Sequence, residues 1–134
     1  MEQRSEEWFA ARKSKITGSM VGAILGFNPW MTPQDAMRTM VRSHFDAESE
    51  FTGNIATEYG VLNEPSALAD LEMQMGNDIE EVGFIVHPEH EWLGASPDGF
   101  YMKDAIVEIK CPFGKRHDIE PDFKSAAEQP HYYA

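Results

Sequence analysis

Residues 94–112 are Gly-Ala-Ser-Pro-Asp-Gly-Phe-Tyr-Met-Lys-Asp-Ala-Ile-Val-Glu-Ile-Lys-Cys-Pro, and this stretch decides the fold that the sequence predicts. It places Asp98 on a turn, continues through a short polar hairpin tip, and then enters a strand-like segment at 105–110. Because side chains alternate along a strand, Glu108 and Lys110 share one face, opposite the apolar residues that enter the core. We therefore expect Glu108 and Lys110 to lie beside Asp98, where two carboxylates and an ammonium group would form a divalent-metal site.

The length and composition of the chain predict one folded domain. Its 134 residues suffice for a single core, and 42% of them are hydrophobic. A single cysteine, Cys111, allows no internal disulfide, which indicates a reducing, cytoplasmic setting. No apolar run is long enough to span a bilayer and the N-terminal residues do not form a signal peptide, so no membrane partner is expected.

The formal net charge of −12 argues against a polyanionic partner such as DNA, but the charge is unevenly distributed. Residues 1–42 carry six basic and four acidic side chains, whereas residues 43–134 carry five basic and nineteen acidic ones. A bound cation would also neutralise any acidic group that serves as its ligand. The basic character is therefore concentrated near the N-terminus, and a nonspecific clamp along a duplex is not expected from this chain alone.

Helical signals dominate the first part of the chain. Ser5 and Thr32 are suitable N-caps, Gly26 is a suitable helix end, and Pro65 predicts a kink or a restart in the last helix. The predicted helices cover residues 6–13, 20–25, 33–45 and 54–75. In the third helix, the residues expected to face the core are Ala36, Met37, Met40, Val41 and Phe45.

Three consecutive antiparallel strands are predicted after the helices, at residues 82–87, 92–95 and 105–110. Helices followed by a short sheet indicate an α+β fold in which the helices cover the sheet. We expect a single domain over residues 1–134. Its parts are N-terminal helices within 1–76, a catalytic sheet at 78–112 and a partial C-terminal helix at 118–134. The helix-like pattern is still running where the chain stops, so we expect a C-terminal truncation.

An isolated Glu-x-Lys is more often a surface pair beside a turn aspartate than a catalytic site. Here, however, Ser-Pro-Asp-Gly followed by Glu-Ile-Lys-Cys-Pro resembles the PD-(D/E)xK nuclease superfamily, in the form found in the phage lambda exonuclease and YqaJ-type viral recombinase family. Three more stretches resemble that family in the same order. They are Glu7-Trp8 with Arg12 and Ile16-Thr17-Gly18-Ser19, then Tyr59-Gly60 leading to Glu64, then residues 125–134 ending in Tyr132-Tyr133-Ala134.

The resemblance implies a restriction-endonuclease-like core, with a short mixed sheet and an antiparallel hairpin flanked by helices. It also implies that Mg²⁺, for which Mn²⁺ would substitute, is bound by Asp98, Glu108, the main-chain carbonyl of Ile109 and the supporting carboxylate of Glu64. Lys110 would be the catalytic lysine. The alternative for Glu64 is an ordinary exposed glutamate on a helix.

The same resemblance implies a site for a DNA end near the N-terminus. Arg12 and Ser19 would hold a terminal 5′-phosphate, with Thr17 and Tyr132 as further contacts to the DNA. A guanidinium group beside a hydroxyl suits anion binding. The alternative for Arg12 is a solvated cation on a helix surface.

The implied function is that of a Mg²⁺-dependent 5′–3′ exonuclease, which digests duplex DNA from 5′-phosphorylated ends during phage-type homologous recombination in a bacterial cell. The implied partners are double-stranded DNA ends, a single-strand annealing protein and two further copies in a homotrimeric ring. The family has a Gln after the last matched helix, beyond Ala134 here, which leaves the activity of this chain open. Two alternatives stand: another PD-(D/E)xK repair or restriction nuclease, and an inactive acidic module that binds a protein or a DNA end.

Overall fold

The computed structural model of the chain describes residues 1–45, 53–119, 125 and 127–128, which form four α-helices, six short strands and one 3-10 helix. The helices are α1 (Glu6–Arg12), α2 (Gly18–Ile24), α3 (Pro33–His44) and α4 (Ile55–Met75), and the 3-10 helix is Phe113–Lys115. The strands are β1 (Ile16–Thr17), β2 (Ile79–Glu81), β3 (Ile85–Val86), β4 (Leu93–Ala95), β5 (Gly99–Tyr101) and β6 (Ala105–Val107). The predicted α+β class is confirmed.

The chain divides into two compact units, each with its own three-stranded sheet. The first unit consists of residues 1–50, 83–96 and 123–134, and it contains α1, α2, α3 and the sheet β1-β4-β3. The second unit consists of residues 51–82 and 97–122, and it contains α4, the 3-10 helix and the sheet β2-β5-β6. The prediction that consecutive strands form one sheet is wrong, because β4 and β6 belong to different sheets.

The helix starts of the first unit follow the predicted capping chemistry. Ser5 Oγ accepts a hydrogen bond of 3.2 Å from the Trp8 backbone N–H, which satisfies one of the free donors at the start of α1. Thr32 and Asp35 form a complete capping box before α3, with bonds of 3.1 and 3.2 Å. Hydrogen bonds that the Asp35 carboxylate accepts from Thr32, first from its backbone and then from its side chain, lower the pKa of Asp35. Both predicted caps are confirmed.

The sheet of the first unit contains a strand that local periodicity did not predict. β1 pairs in parallel with β4, and β4 pairs antiparallel with β3. The backbone N–H of Ile16 also donates a 2.7 Å hydrogen bond to the carbonyl of Trp92, so the pairing extends one residue before β4. The predicted buried strand at 82–87 is wrong in its extent, because only β3 is a strand and its two side chains are exposed.

The core of the first unit is small. Trp8, Ala23, Ala36 and Phe84 are its buried apolar residues among those the structure describes. α3 contributes only Ala36 to this core, so the prediction of a wide inward-facing stripe is wrong. The residues that were expected inward and are exposed are Met37, Val41 and Phe45. Helical spacing identifies the face of α3 but does not indicate how much of it another element covers.

In the second unit, α4 runs without interruption through Pro65. Of the predicted kink or restart, the restart is therefore wrong, and the kink stays a prediction. Asn54 caps its start by accepting a 3.0 Å bond from the Thr57 N–H. Gly76 ends it in the left-handed conformation, with φ of 70°. The Glu72 side chain accepts a 2.9 Å hydrogen bond from the Ile79 N–H and so ties the last turn of α4 to β2.

The sheet of the second unit is antiparallel, and β5 lies between β2 and β6. Gly99 pairs with Val107, and the Asp98 N–H donates a 3.1 Å bond to the Val107 carbonyl. β6 ends at Val107, so the predicted strand to Lys110 is too long. Val107 is buried and Ile109 half-buried, whereas Glu108 and Lys110 are exposed, so the predicted alternation continues past the end of β6.

The predicted C-terminal helix at 118–134 falls mostly outside the described residues. Within the described part, Ser125 and Glu128 exchange hydrogen bonds and residues 127–128 form a turn. Among the helices of the described ranges, none combines the length and the apolar character that crossing a membrane requires.

Candidate active site

Asp98 is fixed by two hydrogen bonds at the open end of the β5–β6 hairpin. Its backbone N–H donates to the Val107 carbonyl at 3.1 Å, and its Oδ2 accepts from the Ile109 N–H at 2.6 Å. The second bond joins residues that are eleven positions apart in the chain. Because a backbone donor on one arm meets a side-chain acceptor on the other, the carboxylate is held directly against the segment that follows β6.

Glu108 and Lys110 lie side by side, as strand alternation predicts. Lys110 Nζ is 2.7 Å from Glu108 Oε1, and both side chains are partly exposed. Lys110 is therefore a neutralising charge beside the carboxylates of this segment. An exposed ion pair of this kind contributes little to the stability of the fold, so we consider Glu108 and Lys110 as candidate catalytic groups.

The charge of Glu64 acts on Asp98. Burial raises the pKa of Asp98 most, against the lowering effect of the Ile109 hydrogen bond, and the negative charges of Glu108 and Glu64 raise it further. Burial, followed by the charges of Glu64 and Asp98, also raises the pKa of the Cys111 thiol. The charges of Glu64, Glu108 and Lys110 thus all act on Asp98 within the second unit.

The packing of α4 explains why Glu64 is near the hairpin. A side-chain carbon at Gly60 would lie 3.9 Å from the Cys111 carbonyl oxygen. Tyr59 makes an edge-to-face contact with Phe113, with ring centroids 5.7 Å apart. Glu64 follows Gly60 by one helical turn and therefore lies on the same face of α4, toward the segment after β6. We call the set Glu64, Asp98, Glu108, Ile109 and Lys110 the Asp98 cluster.

The donor chemistry of the Asp98 cluster fits a hard divalent cation. Carboxylate and main-chain carbonyl oxygens are the ligands that Mg²⁺ prefers. Burial first, and then the charges of Glu108 and Glu64, raise the pKa of Asp98, and a bound cation would offset both effects. Across the described ranges, no three His, Cys, Asp or Glu side chains form a ready-made metal-binding group. Glu108 is paired with Lys110 through Oε1.

Arg12 is held in place by neighbours on both sides of its guanidinium group. The group lies over the Trp8 ring, 4.0 Å from its centroid, and Nη2 donates a 3.3 Å hydrogen bond to Ser19 Oγ. Ser19 Oγ is in turn 2.9 Å from Thr17 Oγ1. Trp8 Nε1 donates a 2.9 Å hydrogen bond to Ser96 Oγ, which fixes the ring beneath Arg12. The predicted pair Arg12 and Ser19 is therefore in direct contact.

A cavity of about 420 Å³ lies beside Arg12, and we call it the Arg12 pocket. Burial lowers the pKa of Arg12, because a cation removed from water is less stable than a solvated one. An anion in the pocket would compensate for that lost solvation. The lining includes hydroxyl groups, a second cation and aromatic rings, among them Ser14, Lys15, Thr17, Ser19, His44 and Trp92.

Ser14, His44 and Trp92 are among the lining residues that were not predicted as site residues. Ser14, which has a positive φ of 62°, shares a hydrogen bond with Nδ1 of His44, and Trp92 reaches the pocket through the pairing of β1 with β4. No local pattern marks these residues, because the pairing that joins them is long-range. Tyr132, the remaining predicted DNA contact, lies outside the described residues.

Comparison with known proteins identifies the group to which this arrangement belongs. The model of the YqaJ-like viral recombinase domain matches residues 7–134. The chain belongs to the YqaJ-like viral recombinase family. Its match includes Arg12 and Ser19 of the first unit and every member of the Asp98 cluster, so both candidate sites lie within the YqaJ-like domain.

Two relatives of the YqaJ-like domain come from a virus and from a bacterium. An uncharacterised protein of Acanthamoeba polyphaga mimivirus is 25% identical over 145 residues, covering 98% of this chain and 25% of its own length. The uncharacterised protein YqaJ of Bacillus subtilis strain 168 is 29% identical over 111 residues, covering 81% of this chain and 34% of its own. The chain thus spans a quarter to a third of the length of these relatives.

Solved structures similar to the YqaJ-like domain include the alkaline exonuclease LHK-Exo from Laribacter hongkongensis. One crystal structure matches with a TM-score of 0.73 and 32% identity over 96% of this chain and 63% of that one. A second, of LHK-Exo in complex with dAMP, matches with a TM-score of 0.73 and 35% identity over 84% of this chain and 56% of that one. These matches confirm the PD-(D/E)xK type of fold that the sequence motifs predicted.

Proposed function

We propose that the chain is a Mg²⁺-dependent deoxyribonuclease domain that hydrolyses phosphodiester bonds of duplex DNA from 5′-phosphorylated ends during homologous recombination. The observation that carries this proposal is the Asp98 cluster, in which Asp98 is bonded to Ile109 and Glu108 lies beside Lys110. The similarity to an alkaline exonuclease solved with dAMP supports the same class of substrate.

The Asp98 cluster would supply the metal ligands. Asp98, Glu108, the main-chain carbonyl of Ile109 and the supporting carboxylate of Glu64 would hold Mg²⁺, and Mn²⁺ is expected to substitute for it. When bound, the ion supplies polarisation of the phosphate and a lower pKa for its bound water. The hydrogen bond from Ile109 orients the Asp98 carboxylate before any ion arrives, which reduces the rearrangement that binding requires.

Lys110 would act on the reacting groups themselves. Its ammonium group is a mobile point charge with three donors, suited to orienting a water molecule or stabilising negative charge that develops on the phosphate. The pairing with Glu108 keeps Nζ at the edge of the carboxylates rather than in bulk solvent. Glu64 would support the metal or its water from α4.

The Arg12 pocket would recognise the DNA end. Arg12 presents a guanidinium group that Trp8 and Ser19 already hold, and Thr17 fixes the Ser19 hydroxyl in turn. A charged donor and a hydroxyl in a half-buried pocket suit a terminal phosphate, which carries more charge than an internal one. We propose double-stranded DNA ends as the substrate, a single-strand annealing protein as partner, a homotrimeric ring as the assembly and the cytoplasm as the location.

The test is a digestion assay on linear duplex DNA with and without a 5′-phosphate, in the presence of Mg²⁺ or of EDTA. Lys110→Ala and Asp98→Asn should each abolish metal-dependent digestion, whereas Lys103→Ala, a matched change of an exposed lysine at the hairpin tip, should leave it unchanged. Arg12→Ala should remove the preference for phosphorylated ends. Digestion that is equal in the parent, Lys110→Ala and Asp98→Asn would refute the catalytic assignment.

The acidic binding module is the competing function, and the net charge of −12 favours it. It predicts no Mg²⁺-dependent turnover and a partner bound equally well by the parent and Lys110→Ala. Another nuclease of the same superfamily would instead digest DNA without any preference for a free 5′-phosphorylated end. The same assay therefore separates all three.

A further inference from the structure

We propose that Trp92 is the base-binding wall of the Arg12 pocket, so that the 5′-terminal nucleotide is held by its base as well as by its phosphate. This inference rests on the proposed function of the pocket as a DNA-end site. It adds a contact that the sequence motifs did not indicate.

The position of Trp92 supports this role. It lines the same cavity as Arg12 and Ser19, and its exposed fraction is 54%, against 8% for Trp8. A phosphate group fills only a small part of about 420 Å³, which lies within the usual size range of small-molecule sites. The remaining volume beside a large aromatic side chain suits a planar, apolar group that is covalently attached to the phosphate, which is what a nucleoside provides.

The Trp92 side chain is ordered by its surroundings before any ligand binds. Its carbonyl accepts the 2.7 Å bond from Ile16, which ties its backbone to the strand that leads to Thr17. The His90 ring packs against the indole at 5.4 Å between centroids, and His87 stacks on His90 at 4.8 Å. His87 is itself held by hydrogen bonds to its Nδ1 from the N–H groups of Glu89 and His90. An aromatic surface prepared in this way loses little conformational entropy when a base stacks on it.

Stacking also matches what an exonuclease needs at a DNA end. Every nucleobase has a π-face, so an indole accepts all bases alike, whereas hydrogen bonding to base edges would select among them. An enzyme that advances along a strand meets each base in turn and requires a contact that does not depend on sequence. Trp92 would provide this contact, while Arg12 reads the phosphate.

The test measures binding of a short DNA hairpin with one open, 5′-phosphorylated end, in EDTA so that no cleavage occurs. Two versions are compared by fluorescence anisotropy, one with an intact 5′-terminal nucleotide and one in which that nucleotide is abasic. The variants are Trp92→Ala, Trp92→Phe and the matched control Trp30→Ala, which removes a tryptophan that is 82% exposed and is not part of the pocket lining.

Removal of the terminal base should weaken binding to the parent by roughly 5- to 150-fold, the range for stacking of one base on an aromatic residue. Trp92→Ala should weaken binding of the intact end by a similar factor and leave binding of the abasic end unchanged. Trp92→Phe should retain most of the affinity, and Trp30→Ala should behave as the parent. A mutational cycle of this kind isolates the contact between the base and the indole.

Two results would overturn the inference. One is equal affinity of the parent for the intact and abasic ends, and the other is an equal loss for both ends in Trp92→Ala, which would indicate a merely structural role. If the base has no effect but Arg12→Ala still removes the preference for a 5′-phosphate over a 5′-hydroxyl, the proposed end site stands and the role of Trp92 fails. If neither phosphate nor base affects binding, both fail.

Discussion

Gly99 packs closely against β2 and follows Asp98 directly, so a substitution there should affect both the stability of the second unit and the Asp98 cluster. A Cβ added there would overlap Cγ2 of Ile79 and lie 3.0 Å from the Glu80 carbonyl oxygen. Ile79 is buried, with 5% of its surface exposed, and Glu80 is fixed in the β2–β5 ladder, so neither atom can easily move away. We therefore expect Gly99→Ala to lower the free energy of unfolding by about 1–3 kcal/mol, the usual cost of overpacking.

The assay is urea denaturation followed by circular dichroism, with Mg²⁺ binding measured by calorimetry on the same samples. The matched control is Gly114→Ala, because a Cβ at Gly114 meets no atom within 4 Å and the residue lies in the 3-10 helix. The control should gain roughly 0.4–1 kcal/mol through the unfolded state. Since Gly99 follows Asp98 directly, the variant should also bind Mg²⁺ more weakly. Unchanged stability of Gly99→Ala would refute the close approach of β5 to β2.

The remaining predictions concern the charges of the two sites. Asp98→Asn should raise the melting temperature of the metal-free protein, because it removes a carboxylate that Glu108 and Glu64 repel while keeping an oxygen for the Ile109 hydrogen bond. In the parent, Mg²⁺ at a hundredfold excess over its dissociation constant should stabilise the fold by about 2.7 kcal/mol, and Asp98→Asn should lose this effect; an equal Mg²⁺-dependent shift in both proteins would contradict it. Trp8→Phe retains a ring beneath Arg12 but removes the bond to Ser96, so we expect a loss of about 1 kcal/mol in urea denaturation and a weaker preference for 5′-phosphorylated ends. Trp8→Ala should cost about 3–5 kcal/mol, as expected for a buried tryptophan, and an equal effect of both substitutions would show that the hydrogen bond rather than packing dominates.

The elements that could be predicted are those that short-range chemistry determines. Ser5 and Thr32 cap their helices through bonds to residues three positions ahead, so the sequence alone contains both partners. The strand β1 escaped prediction because it is two residues long and its partner, β4, follows more than seventy residues later. Pro65 predicted a kink or a restart, and the restart is wrong because a proline removes one helical hydrogen bond without necessarily ending the helix.

In the candidate sites too, local spacing predicts some residues, and others are brought together only by contacts between distant parts of the chain. Alternation placed Glu108 and Lys110 together, and the turn before β5 placed Asp98 beside the same segment, so the hairpin part of the cluster follows from local spacing. Arg12 and Ser19 are seven residues apart, and only the resemblance indicated that they belong together. Trp92 could not be assigned to the pocket from any pattern, because its place there depends on the parallel pairing that was not predicted.

The two sites share one electrostatic property although their charges are opposite. The pKa of Asp98 is raised and that of Arg12 is lowered, so in each case the fold makes the charged form less stable than it would be in water. Burial is the first cause at both positions, and a ligand of opposite charge that replaces the lost solvation therefore gains more binding free energy than it would at an exposed residue. For folding alone, a neutral residue of similar shape would be better at Asp98. In the second unit the carboxylate of Asp98 loses solvation, and in the first unit the guanidinium group of Arg12 does. A cation bound at Asp98 and a phosphate bound at Arg12 are the ligands that would compensate for this loss.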